Sequence, residues 1–252
     1  MNDFGKQDVR FLDIKTKQIL KYHFHTYGNG SSSVFGKSVN DPNFILDRNP
    51  INGHSLIATY NSGYFEIYEI MTGKKLLKVL TNGYTLAFAH KHPWVFSGIG
   101  ELWDYEKGIK IGSVKLAAGK SFPAIDAKFT KDDSSVIYVD FGCPKRFDTN
   151  TKRIVKTCDF YSSCGLFFLT SYDQFLIGFK EGKGMVTYKK HYLKRSKLCL
   201  RVIDTQYLRT RQNICLKKDS TVVDAAMAGD SLIVSDFEKI YIFKPFKNGV
   251  WQ

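Results

Sequence analysis

ELWDYEKGIKIG, residues 101–112, is the stretch whose reading decides the fold. Glu101, Leu102, Trp103 and Asp104 read as a short strand, Tyr105 to Gly108 as a polar turn, and Ile109 onward as a second apolar stretch. Either this is a single β-hairpin, or it is one copy of a unit that recurs. A search for internal repeats therefore comes first, because a fixed period decides the whole architecture.

With Asp104 as anchor, the same frame recurs along the chain. The frame is an apolar or aromatic residue, an acidic residue, about four polar turn residues, then apolar residues again. VRFLDIKTKQIL puts Asp13 at the anchor and FEIYEIMTGKKLL puts Glu69 there. KRFDTNTKRIV supplies Asp148, LRVIDTQYLRTRQNI supplies Asp204, and a degenerate copy, IYIFKPFKNG, places Lys244 there. The residue before the anchor is large and apolar throughout: Leu12, Tyr68, Trp103, Phe147, Ile203 and Phe243. Three residues before it the side chain is polar in every copy: Arg10, Glu66, Glu101, Lys145, Arg201 and Tyr241. A strand alternates its faces, so the large residue is expected between neighbouring sheets. The anchor carboxylate is expected to accept hydrogen bonds from turn amides. Asp13, Glu69, Trp103, Asp104, Asp148 and Asp204 are thus read as structural repeat anchors, not as chemistry.

Successive anchors lie 56, 35, 44, 56 and 40 residues apart. Between them fall further apolar strand candidates, such as TLAFAH with WVFSG and IDAKFT with SVIYVD. No stretch sustains a helical period. Four short strands per unit at this spacing predict an all-β fold, a β-propeller of about six four-stranded blades over a single domain, residues 1–252. The first copy begins almost at residue 1, so the first blade is expected to lack its two inner strands. Two long connections stand out, 25–43 and 180–197.

These units resemble WD repeats, with Trp103-Asp104 a literal copy of the dipeptide and the likeness running over nearly the whole chain. The sequence departs from that pattern in lacking the Gly-His dipeptide at its usual place. The resemblance implies a non-catalytic platform for protein–protein interaction, a scaffold or substrate-recruiting adaptor. It also implies that both long connections emerge on one face of the ring.

Composition fits a globular chain of this class. Hydrophobic residues make up 43%, charged residues 24% and aromatics 15%, with 20 Phe and 14 Tyr but only 6 Pro. No apolar run approaches the roughly 20 residues that span a bilayer as a helix. The first residues have no apolar core of a secretory signal. Five cysteines without a CxxC argue against a disulfide framework or zinc ribbon. An intracellular chain, cytoplasmic or nuclear, is expected.

The net charge is +13, and segment 180–218 alone carries +10 of it. Within it Lys189, Lys190, Tyr192, Lys194, Arg195 and Lys197 interleave cations with an aromatic ring. That mixture suits RNA, a phosphoinositide or a phosphopeptide, which makes an anionic partner the alternative to a purely protein one. A solvated polar loop is the plain alternative to both. Signatures of catalysis are absent: no GxSxG, P-loop or HExxH occurs. The pairs His23/His25 and His90/His92 lack a third ligand in sequence, so no metal and no cofactor are expected, and Asp132-Asp133 reads as a strand-connecting turn.

Overall fold

Alternation and aromatic enrichment specify strands, and the computed structural model is built of them: among the described residues there are 23 strands and no helix. The structure describes residues 6–27, 44–61, 63–80, 85–116, 124, 126–140, 143–158, 168–169, 174–181, 197–215, 224–228, 231–235, 239–246 and 250–251. The strands form small antiparallel sheets, each built from consecutive segments of chain.

The first sheet has two strands, β1 (Lys6–Asp13) and β2 (Gln18–Tyr27). Four-stranded sheets follow. The second contains β3 (Phe44–Arg48), β4 (Ser55–Asn61), β5 (Tyr64–Glu69) and β6 (Lys75–Leu80). The third contains β7 (Leu86–Phe88), β8 (Trp94–Ser97), β9 (Glu101–Asp104) and β10 (Ile109–Ser113). The fourth contains β11 (Asp126–Phe129), β12 (Ser135–Asp140), β13 (Cys143–Asp148) and β14 (Arg153–Thr157). The fifth contains β15 (Phe168–Leu169), β16 (Gln174–Glu181), β17 (Lys197–Asp204) and β18 (Thr210–Cys215). A three-stranded sheet, β19 (Asp224–Ala228), β20 (Ser231–Ser235) and β21 (Ile240–Phe243), precedes a final hairpin of β22 (Pro245–Phe246) and β23 (Val250–Trp251).

The chain divides into two compact units. The first comprises Met1–Phe141 and Phe147–Arg153; the second comprises Gly142–Arg146 and Ile154–Gln252. Within the first unit, consecutive sheets stack face to face, because the pleat sends alternate side chains to opposite neighbours. On β4, Leu56 and Ala58 join Leu86, Phe88 and Val95 of the third sheet in one core. Ile57, between them in sequence, faces the other way into a core with Phe24, Phe11 and Leu20 of the first sheet. The third sheet repeats the device: Ala87, Phe96 and Leu102 turn away from Phe88 and Val95 to pack on Ala127, Phe129, Tyr138 and Phe147. Central strands buried on both faces read as continuous apolar runs, as in β12, where every residue is buried. In the second unit, Val202, Ile203, Leu208, Ile214 and Leu232 are buried, and the Cys158 thiol donates to the Leu208 carbonyl at 3.3 Å.

The degenerate copy differs from its expected frame. Pro245 and Phe246, which the Lys244 frame assigns to a turn, form a strand paired with Trp251 and Val250. Lys244 has no carboxylate to gather turn amides, and Pro245 has no N–H to offer one.

Candidate functional site

Four hairpin turns at the anchors share one hydrogen-bonding design. The carbonyls of Asp13, Glu69, Asp148 and Asp204 accept from the amides of Lys17, Gly73, Lys152 and Leu208, each four residues on, at 2.7–3.1 Å. Each of those residues is left-handed, with φ of 56°, 68°, 58° and 53°, and Gly108 matches them after Asp104 at 67°. The side-chain carboxylates cap the same turns. Asp13 accepts from the Lys15 and Thr16 amides at 2.8 and 3.3 Å, and Asp104 from the Lys107 amide at 2.9 Å. Asp148 accepts from the Asn150 and Thr151 amides at 3.0 and 2.7 Å, and Asp204 from the Tyr207 amide at 2.5 Å. Glu69 is one methylene longer, and accepts instead from the Thr72 hydroxyl and meets the His54 ring. Those two contacts hold the Glu69 carboxyl below its ordinary range.

Trp103 sits half-buried against the core between the second and third sheets, its indole N–H donating to Glu101 at 3.2 Å. Lys110 on β10 completes the group with an ion pair to Glu101 at 3.2 Å. The second sheet has the same triad, because Tyr68 and Lys75 both donate to Glu66. Burial raises the Glu66 carboxyl, but the Lys75 and Tyr68 hydrogen bonds outweigh it and leave the group lowered. Burial, then Glu66, pushes the Tyr68 hydroxyl up to about 12. The polar position three residues before the anchor was legible in sequence; its lysine partner, six residues after the anchor, was missed. Phe147 and Ile203 are fully buried, whereas Leu12 is 59% exposed, contrary to the expected packing between sheets. Phe11, its neighbour, packs into the core against the second sheet instead, and the register of β1 on β2 shifts between Arg10 and Leu12.

Asp133 is more than part of a turn. Its buried carboxylate accepts from the amides of His90, Lys91 and His92 at 2.8, 2.6 and 3.1 Å and meets the His92 ring at 3.1 Å. Those residues join β7 to β8, so the carboxylate latches the third and fourth sheets together. The His92 ring stacks on Trp94 at 4.1 Å, and the Lys152 ammonium lies over Trp94 at 5.4 Å. No group of three or more metal-ligating side chains occurs among the described residues.

An apolar groove of about 400 Å³ opens between the first and second sheets at their turn end. Leu12, Ile14, Leu46 and Met71 line it, and they are 59%, 87%, 52% and 59% exposed. The geometry explains why. β2 lies against β4, and no described strand of the two-stranded first sheet covers Leu46 on β3. Leu46 pairs with buried Ile57 and so shares the face that Ile57 turns to the first sheet. Asp47 lines the groove too, its carboxyl raised by burial against the opposing pull of the Arg48 amide. Lys15, Lys17, Arg48 and Lys74 are exposed along the flanking segments. Apolar strand residues look like core in a sequence, which is why this groove was not legible there.

Lys189, Lys190, Tyr192, Lys194 and Arg195 lie outside the described residues. Lys197 begins β17, where its backbone pairs with Glu181. β16 and β17 are the second and third strands of their sheet, so the basic connection joins those two strands.

No protein-family model matches the chain, and no curated protein matches it. Among solved structures it resembles hydrazine synthase of Kuenenia stuttgartiensis, with a TM-score of 0.58 at 13% identity. The match covers 88% of this chain and 61% of that one, so this chain spans about three fifths of that protein's length. In all, 651 chains of solved structures match, so the likeness ties the fold to no single activity. The expectation of a non-catalytic chain is corrected here. That neighbour is an enzyme by name, so this fold does not argue against catalysis. No helix among the described residues is long and apolar enough to cross a membrane, which says nothing of a β-barrel.

Proposed function

We propose that the chain is a WD-repeat-like β-propeller acting as a protein-interaction platform, and that the groove at Leu12, Ile14, Leu46 and Met71 is its docking site. Four successive four-stranded sheets, a shared hairpin turn and the alternating two-sided cores of the first unit support the propeller reading. The observation that carries the binding reading is the groove. Contiguous exposed apolar surface rimmed by polar residues marks an interaction site more often than a bare surface. Exposed Lys15, Lys17, Arg48 and Lys74 around it favour an apolar segment flanked by acidic residues.

Affinity purification of the full chain, with nuclease treatment, tests this against the Leu46→Asp/Met71→Asp double variant. Proteins retained by the native chain and lost from the variant support the reading. Identical retention by both removes the groove from it. Loss on nuclease treatment alone, with sensitivity to Lys189→Glu and Lys190→Glu, would instead favour an RNA partner at the basic segment.

A further inference from the structure

β17 and β18 bring two of the five cysteines together. Cys199 stands directly opposite Cys215 in their antiparallel register. The two lie 16 positions apart in sequence, with no spacing motif to announce the pair. The kind of pair matters as much as the register. Opposite residues alternate between hydrogen-bonded pairs, with Cα atoms about 5.5 Å apart, and non-hydrogen-bonded pairs at about 4.5 Å. Asp204 bonds toward β18, its amide donating to the Arg209 carbonyl at 3.1 Å. β17 runs in unbroken register with β16, and the shift against β18 is an extra residue on β18, Arg211. The alternation along β17 is therefore intact: Asp204, Val202 and Leu200 bond toward β18, and Ile203, Arg201 and Cys199 toward β16. Cys199 and Cys215 are a non-hydrogen-bonded pair, whose spacing falls within the about 4.4–6.8 Å between Cα atoms that a disulfide bridges. Asn213, two positions from Cys215 on the same face, is exposed, so solvent reaches that face beside the pair. Cys158 is held at the other end of the hairpin, where its thiol donates to the Leu208 carbonyl. The pair also stands at the foot of the basic connection, because Lys197, two residues before Cys199, begins β17 opposite Glu181, the last residue of β16.

We propose that Cys199 and Cys215 are a dithiol redox site, which a small-molecule disulfide converts to a reversible cross-strand disulfide. One cysteine thiolate attacks a sulfur of the small disulfide, breaking its S–S bond and releasing one small thiol. The second cysteine then attacks the mixed disulfide at the protein sulfur and releases the other. Two protein thiols become one disulfide while one small disulfide becomes two thiols, so electrons and protons balance. The bond staples β17 to β18 at the foot of the basic connection. A single reversible bond differs from the disulfide framework that the cysteine spacing argues against. Every residue involved lies in the second unit, whereas the groove belongs to the first, so the two proposals stand or fall separately.

The test is incubation of the full native chain with oxidised glutathione, then blocking of the remaining thiols, proteolysis without reductant and mass spectrometry. The expected product is a peptide pair joined through Cys199 and Cys215, which dithiothreitol separates. The same treatment in concentrated urea supplies the control, since there all five cysteines compete on chain separation alone. The Cys199–Cys215 link is expected to fall at least about threefold as a share of all links in urea, where the closer Cys158 and Cys164 are favoured. A folded chain without that link overturns the proposal. So does a folded chain in which either cysteine links chiefly to another, or one in which the share of the link is no higher than in urea.

Discussion

Asp133 shows how much one side chain can carry in this molecule. Its carboxylate is buried and satisfies three consecutive amides of another sheet's connection. Hydrogen bonds to a charged acceptor are the strong ones. Asp133 also has a φ of 62°, which Asn tolerates, so Asp133→Asn removes the charge without changing the backbone demand. The variant is expected to lose about 2–3 kcal/mol, read as a lower urea midpoint at unchanged slope. The opposite sign is expected at Tyr138, whose hydroxyl is buried with no hydrogen-bond partner among the described residues. Tyr138→Phe removes an unsatisfied group and should stabilise by about 1 kcal/mol. Acid is expected to destabilise the protein through Glu69 and Glu66. The Thr72 hydroxyl and the His54 ring lower the first; Lys75 and Tyr68, against burial, lower the second. A carboxylate lowered by folding stabilises above its unfolded value and loses that contribution as pH falls through its folded one. Urea midpoints should therefore fall below about pH 4.5, and Glu69→Gln should flatten the decline.

At the scale of the element, the hairpin turn is the unit the sequence spells out. Its carboxylate, turn amides and left-handed residue lie within five consecutive positions, so the whole device is local and readable. What the frame leaves open is the identity of the left-handed residue. Gly73 and Gly108 suit it, while Lys17, Lys152 and Leu208 adopt it at a cost. Lys17 is exposed, so Lys17→Gly should relieve that cost and stabilise by about 0.5–1 kcal/mol in thermal melts. The two glycines differ in what surrounds them. A Cβ on Gly108 meets open space, whereas one on Gly73 would fall within the Tyr22 ring of the first sheet. Gly108→Ala is expected to cost about 1 kcal/mol, for the backbone alone. Gly73→Ala is expected to cost more, because the ring must move as well. Contacts between sheets were not legible, since Asp133 meets His90 across 43 residues with no motif joining them. Gly112 is a second such case: the Lys152 stem passes 3.0 Å from where its Cβ would stand.

For the whole molecule, strand content and the strand-by-strand frame could be read from alternation, and the all-β architecture follows. The groove could not, because its exposure depends on which of the described strands stand opposite Leu46 rather than on Leu46 itself. The basic segment was conspicuous in sequence for its charge, yet its five residues from Lys189 to Arg195 named as candidates lie outside the described residues. The central claim is that repeated four-stranded units form a propeller whose short first sheet leaves a docking groove. An experimentally determined structure of the full chain tests it most directly. The account predicts four-stranded blades arranged around a central channel, with Leu46 uncovered beside β1. Sheets packed as a sandwich without a channel, or Leu46 covered by the chain's own strands, would contradict it.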